Sequence, residues 1–356
     1  MILFKISILL FATNFITAEF SHETSEKMIN FVSASFTPFM GHDYTPATAC
    51  FEKSFPKGNW FVLNVFSLQP CKIKDQCVLW IVSSNIYKMI VFTFKGAIGK
   101  DDMNKTAQEN IDTYIPWIIG NMSYGKVNPD ISAASKGAFN YISSLILGHH
   151  NYSFAFIGHS YAGSIASLTA LNVKLALKSV NLSLFTFGEP RYHNYELSLT
   201  FQNNLSNGYR VVHNSDIVPH MPICGSTFSG SCSNNNSFYH RTQEIWYHNP
   251  DLQMNNGDQK LCSTSEGEDP SCSNSVSEFE FLLNFETTRG ADMHMTYYNQ
   301  KLDDYGLSGC GEIPCKDVDT DCATKIKECS NSLYKPVMCK YCKKTCNLCT
   351  DRTCYN

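Results

Sequence analysis

Acyl transfer by a side-chain nucleophile needs three groups: a hydroxyl or thiol that attacks, an imidazole that takes its proton, and an acid that orients the imidazole. The chain offers Ser160, Asp216 and His294 in that order. Ser160 stands in the run Phe154-Ala155-Phe156-Ile157-Gly158-His159-Ser160-Tyr161-Ala162-Gly163. Tyr152 to Ile157 reads as a short buried strand, and Ala162, Gly163, Ile165, Ala166, Leu168 and Thr169 carry a helical pattern. A serine on a sharp turn between such elements is lifted out of the sheet. The helix N-terminus behind it favours developing negative charge. The usual spacing is G-x-S-x-G; here Ala162 takes the fifth place and Gly163 follows. A tetrahedral intermediate also needs N–H donors, and the candidates are the backbone amides of Tyr161 and Ala97. Eleven histidines compete for the role of base. His159 is expected to point away from the serine, His213 to lie inside a strand, and His220 to follow closely on Asp216. His240 also follows Asp216 and competes seriously with His294.

The elements that would position these residues alternate. Strands are expected at Leu79 to Val82, Met89 to Phe94, Leu182 to Phe187 and Tyr209 to His213, and helices at Glu26 to Ala34 and Ile131 to Leu147. Gln243 to Tyr247 reads as an edge strand. Strands alternating with helices predict an α/β fold with a largely parallel sheet, in which polar residues just past the strand ends gather at the site. Ser160 and Asp216 both sit at such ends. Residues 98–124 form a long connection with an apolar patch, Tyr114 to Ile119, that reads equally as a lid or as an ordinary surface helix.

The net charge of −4 argues against a nucleic-acid partner held through phosphate contacts. Residues 1–18, with Lys5 ahead of an apolar run and Ile16-Thr17-Ala18 at the end, read as a secretory signal. No later stretch reaches 18 apolar residues, so no transmembrane segment is expected. Sixteen cysteines support export and a full set of disulfides. Six glycosylation sequons point the same way, at Asn104, Asn121, Asn151, Asn181, Asn204 and Asn235. Eight of the cysteines crowd between Cys315 and Cys354, which places a boundary near residues 311–314. The expected organisation is a signal at 1–18, an α/β domain at 19–310 and a disulfide-rich module at 315–349.

From about Cys50 to Cys310 the chain resembles the class 3, fungal-type lipases. The resemblance is carried in order by Phe94-Lys95-Gly96-Ala97, Gly158 to Gly163, Thr186-Phe187-Gly188-Glu189-Pro190-Arg191 and Tyr209 to Pro219. It continues through Tyr239-His240, Glu244 to Tyr247, Cys272 to Ser275 and His294-Met295-Thr296-Tyr297-Tyr298. It implies the α/β-hydrolase fold and a serine esterase acting on triacylglycerol or related lipid esters at an oil–water or membrane interface. Ser160, Asp216 and His294 take the triad positions, which favours His294 over His240. A lid falls where Tyr114 to Ile119 lies. By the same analogy Cys50 pairs with Cys310, Cys71 with Cys77, and Cys262 with Cys272; Cys224 with Cys232 follows from their proximity. Four positions depart from the family pattern. Lys95 replaces an arginine, exchanging a planar fork for a point charge. Ala97 replaces a hydroxyl residue, Asn128-Pro129-Asp130-Ile131 replaces a His-x-Gly-Phe block, and Met293 replaces an aspartate.

The tail, with Cys315, Cys322, Cys329, Cys342, Cys346 and Cys349, resembles the ShK toxin-like module of nematode secreted proteins. The family pairs Cys315 with Cys349, Cys322 with Cys342, and Cys329 with Cys346. Cys339 and Cys354 remain as an extra pair. So small a module depends on its bridges for stability. The short gap between Cys342 and Cys346 and the expected export argue against zinc, and no cofactor is expected. Three readings compete: a secreted lipase, a catalytically impaired lipase-fold binding protein acting on a protein partner through its tail, and an esterase or phospholipase for more polar acyl lipids.

Overall fold

The structure is a computed structural model, which describes residues 19–37, 44–69, 77–95, 114–224, 232, 238–287, 289–312, 315–349, 351 and 354. The expected signal at 1–18 therefore lies outside the described residues. Twelve strands build two sheets: β1 (Phe61–Ser67), β2 (Val78–Ser84), β3 (Met89–Lys95), β4 (Ile115–Ile119), β5 (Met122–Val127), β6 (Ser153–His159), β7 (Leu182–Phe187), β8 (His193–Asn194), β9 (Gly208–His213), β10 (Phe238–Tyr239), β11 (Glu244–Tyr247) and β12 (Gln259–Leu261). The large sheet runs β1-β2-β3-β6-β7-β9-β11-β12. Its centre, from β3 through β6, β7 and β9 to β11, is parallel, and its flanks are antiparallel. This is the mixed central sheet of an α/β-hydrolase fold.

The central strands are buried along almost their whole length, as both-face coverage requires. Their side chains alternate between two cores with period two. Val91, Ala155, Ile157, Phe185, Phe187 and Val211 face the helices His22–Ser35 and Thr45–Ser54, which contribute Phe31 and Phe51 to that core. Ile90, Phe92, Phe94, Phe154, Phe156 and Leu184 face the helices Pro129–Gly148 and Tyr161–Ala176. Asn128 explains one departure from the lipase pattern. Its Oδ1 accepts from the N–H groups of Asp130 and Ile131 and caps the helix Pro129–Gly148, with Pro129 at the position where the missing N–H costs nothing.

Two expectations are corrected. Tyr114 to Ile119 is neither a helix nor a free lid: β4 and β5 form a hairpin within the four-stranded sheet β10-β8-β5-β4. Trp117 is buried there, and the Tyr114 hydroxyl donates to the carbonyl of His193. Residues 98–113 of that connection lie outside the described residues. Gln243 to Tyr247 is not an edge either, because β11 pairs with β9 on one side and β12 on the other. Its short apolar run could not reveal the brief strand that follows it.

Seven disulfides join Cys50–Cys310, Cys224–Cys232, Cys262–Cys272, Cys315–Cys349, Cys322–Cys342, Cys329–Cys346 and Cys339–Cys354. Cys77 is also disulfide-bonded, while Cys71 lies outside the described residues. Asn121 and Asn151 are exposed at turns, Asn181 and Asn204 are half-buried, and Asn104 and Asn235 lie outside the described residues. No helix among the described residues is long and apolar enough to cross a membrane.

Candidate active site

Ser160 joins β6 to the helix Tyr161–Ala176 with φ 60° and ψ −143°, a conformation L-residues rarely adopt. The turn is held from below by the Ser160 N–H, which donates to the carbonyl of Phe187 at 2.8 Å. It also demands small neighbours. A Cβ on Gly158 would lie 2.6 Å from the carbonyl oxygen of Ala162 and 2.7 Å from Cα of Gly163. Ser160 occupies the N-cap position of the helix, yet its hydroxyl makes no capping bond and is not consumed by local structure. Tyr161 opens the helix directly behind it. Ala97, the other expected oxyanion donor, lies outside the described residues.

Asp216 follows β9, and His294 lies near the end of the short helix Arg289–Met295. They meet although they are 78 residues apart: Nδ1 of His294 lies 2.9 Å from Oδ2 and 3.0 Å from Oδ1 of Asp216. Asp216 also accepts from the Tyr297 hydroxyl at 2.8 Å and the Val218 N–H at 3.0 Å. Burial pushes its carboxyl up, but His294 and these donors outweigh burial and hold it below the ordinary carboxylate range. The acid is thus ionised and fully hydrogen-bonded at neutral pH. Nε2 of His294, the atom a serine proton would reach, is buried without a hydrogen-bond partner among the described residues. Ser160 and His294 are 1 % and 0 % exposed, so the site is closed.

His159 corrects another expectation. It does not point away: its ring lies 4.4 Å from that of His294, and its Nε2–H donates to the carbonyl of His294 at 2.7 Å. Burial, reinforced by His294, pushes its pKa down to about 3, so it stays neutral and serves as a donor. His213 sits between the carbonyls of Met293 and Leu252, so β9 also anchors the segment carrying His294. Gly188 follows β7 with φ +60°. A Cβ there would lie 2.8 Å from Cε1 of His294 and 2.9 Å from Oδ2 of Asp216. Tyr297 and Gly188 belong to the runs that carry the lipase resemblance, but their types alone assign no contact.

His240 is held elsewhere. Its Nδ1 lies 2.9 Å from Glu268, whose carboxylate is clamped by Arg191 at 2.8 and 2.9 Å. Burial would raise the Glu268 carboxyl, but Arg191 and His240 hold it well below its ordinary range. Burial and the nearby Arg210 lower His240, which stays neutral. Two further buried pairs stand close in sequence, Arg241–Glu189 at 2.8 Å and Arg210–Glu244 at 2.6 Å. Glu189 also accepts from Ser167 and Thr186, so this charge is fully coordinated. The runs Gly188 to Arg191 and Tyr239 to Tyr247 therefore form an ionic frame behind the site. Two carboxylates lie beside cysteine pairs, Glu268 by Cys224 and Cys232, and Glu244 by Cys262 and Cys272. Both cysteine pairs are disulfides and offer no thiolate to a metal.

The family profile of class 3 lipases matches residues 85–226, and that of ShK domain-like modules matches residues 314–349. A lipase of Caenorhabditis elegans is 27% identical over 317 residues, covering 81% of this chain and 82% of its own. A lipase of Rhizomucor miehei is 29% identical over 184 residues, covering 49% of this chain and 41% of its own. Among solved structures, a triacylglyceride lipase of Rhizomucor miehei superposes with TM-score 0.59 at 21% identity, covering 81% of this chain and 98% of its own. Lipase II of Rhizopus niveus gives TM-score 0.61 at 20% identity, covering 80% and 97%. One solved neighbour is a triacylglycerol lipase whose catalytic centre is a serine protease triad. The chain is thus similar to class 3 lipases through its central segment and to ShK-like modules at its C-terminal end.

Proposed function

We propose that this lipase-like α/β-hydrolase is a secreted carboxylic ester hydrolase that cleaves lipid esters, triacylglycerol among them, through an acyl-enzyme. Ser160 is the nucleophile, His294 the base and Asp216 its orienting acid. The observation that carries the reading is the buried Asp216–His294 pair, whose Nε2 has no hydrogen-bond partner among the described residues, together with a serine held at positive φ on a strand-to-helix turn. In the first half-reaction Ser160 Oγ attacks the ester carbonyl carbon and its proton passes to His294 Nε2. Asp216 stabilises the resulting imidazolium, and the Tyr161 and Ala97 amides receive the oxyanion. The intermediate collapses, and the departing alcohol takes the proton from His294. Water then attacks the acyl-enzyme with His294 as base, releasing the fatty acid and restoring Ser160.

Ser160 is buried, so an ester reaches it only after a rearrangement. Export is supported by the leader-like residues 1–18 and by disulfides that a reducing cytosol would not maintain. The test is hydrolysis of short- and long-chain p-nitrophenyl esters by the wild type and by Ser160→Ala. Turnover is expected to fall at least ~10⁴-fold in the variant, and an organophosphonate is expected to label only the wild type. Equal turnover in both proteins would overturn the assignment.

A further inference from the structure

The C-terminal module faces solvent with a surface that a soluble domain of its size has no reason to keep. The helix Lys335–Tyr341 turns Met338 and Cys339 inward, with Cys342 just beyond its end, and these pack with Cys322 and Leu348. Tyr334, Val337 and Tyr341, spaced i, i+3 and i+7, form an adjoining stripe and are 48 %, 46 % and 38 % exposed. Leu333, next to this stripe, is 85 % exposed. Lys340 and Lys344 are exposed, Lys340 beside the stripe with Nζ 5.1 Å from the Tyr341 ring and Lys344 three residues past the helix end. Charge follows the same division. All four carboxylates of residues 315–349 precede Cys329, whereas Lys335, Lys340, Lys343 and Lys344 follow it with none among them. Lys335 is paired with Asp351 at 2.8 Å, and Lys344 lies near Asp317. The module is therefore positive within a chain whose total is −4.

We infer that this face of the module docks on a negatively charged lipid surface. An apolar stripe with aromatic rings at its edges and lysines beside it can bury the stripe at the headgroup boundary, while the ammonium groups reach anionic headgroups. Each lysine near such a surface contributes roughly a fivefold gain in partitioning at physiological salt. The bridges fix the stripe before contact, so little ordering opposes docking. The occupant fits the chain's other half: hydrolysis of lipid esters leaves fatty carboxylates at the interface, and these would strengthen retention as product accumulates. The docking itself requires no hydrolysis, so it stands or falls apart from the catalytic assignment.

The test is co-sedimentation of the full-length Ser160→Ala protein with vesicles of pure phosphatidylcholine and with vesicles containing about one-third phosphatidylserine. Expected is binding to the anionic vesicles that weakens as salt is raised, and weak binding to neutral ones. Lys340→Gln with Lys344→Gln should reduce binding to anionic vesicles roughly 25-fold. Leu333→Ser with Val337→Ser should reduce it by a similar factor on either vesicle. In the otherwise wild-type enzyme, the same four substitutions should leave hydrolysis of a soluble short-chain ester unchanged. Equal binding to both vesicle types, or no effect of the substitutions in a protein with native circular dichroism, would overturn the inference. Capture of a membrane protein by this face without binding to protein-free vesicles would also overturn it.

Discussion

Two carboxylate–imidazole pairs with the same 2.9 Å contact are buried in this chain, Asp216 with His294 and Glu268 with His240. Their surroundings divide them. Glu268 meets a guanidinium that takes both its oxygens, so its charge is already balanced, and His240 adds only neutral donors, its backbone N–H and its ring Nδ1. Among the described residues Asp216 meets no guanidinium; the other partners of its side chain are the Tyr297 hydroxyl and the Val218 amide, both neutral. In the proposed mechanism its negative charge is therefore left to stabilise the imidazolium of His294. A balanced pair makes a frame, and an unbalanced one can make a catalyst.

Substitution should separate the two pairs most sharply. Asp216→Asn is expected to lower kcat about 10⁴-fold, because the amide favours the wrong imidazole tautomer. Glu268→Gln should leave kcat per folded molecule within a few fold. It should instead lower stability by about 3–5 kcal/mol, read from denaturant unfolding, because Arg191 loses its counter-charge while buried. A large loss of kcat in Glu268→Gln at full folding would erase the distinction. Acid should expose a broader effect. His159, His193 and His220 are held neutral chiefly by burial, with pKa values of about 3, 4 and 4. Their folded values lie below the unfolded value near 6.5, so the unfolded chain binds more protons as pH falls. Stability should be flat in their contribution above about pH 6.5 and should fall between there and pH 4. The slope reaches about 1.4 kcal/mol per pH unit for each histidine. A Tm that stays level from pH 7 to 4.5 would contradict this. The smallest expected effect is that of Tyr297→Phe, which removes one of the donors to Asp216. A loss of roughly tenfold in kcat, with the acid limb of the pH–rate profile displaced and KM little changed, would mark Tyr297 as a positioning residue.

Much of this arrangement can be read in the sequence. The five central strands, the turn at Ser160 and the helix behind it follow from apolar runs bounded by glycine and polar residues. What escapes is contact between distant segments. His159 is adjacent to Ser160 in the chain, and adjacency suggests opposite directions in a strand. Yet the segment carrying His294 packs beneath it, and no local pattern encodes that. The choice between His240 and His294 is equally invisible locally, because it depends on whether an arginine stands beside the carboxylate. The hairpin of β4 and β5 escapes because its apolar run suits a lid, a helix or a strand until its partner β8 is known.

The turn after β7 concentrates both functions in four residues. Gly188 touches His294 and Asp216, Glu189 holds Arg241, and Arg191 holds Glu268. For anyone evolving this enzyme toward new esters, that turn is the place to leave alone. A saturation library should show its deepest trough of tolerance across residues 188–191, where one replacement perturbs catalysis and folding together. Variation in substrate range should have to be found elsewhere, on segments that touch the site without also carrying the ionic frame.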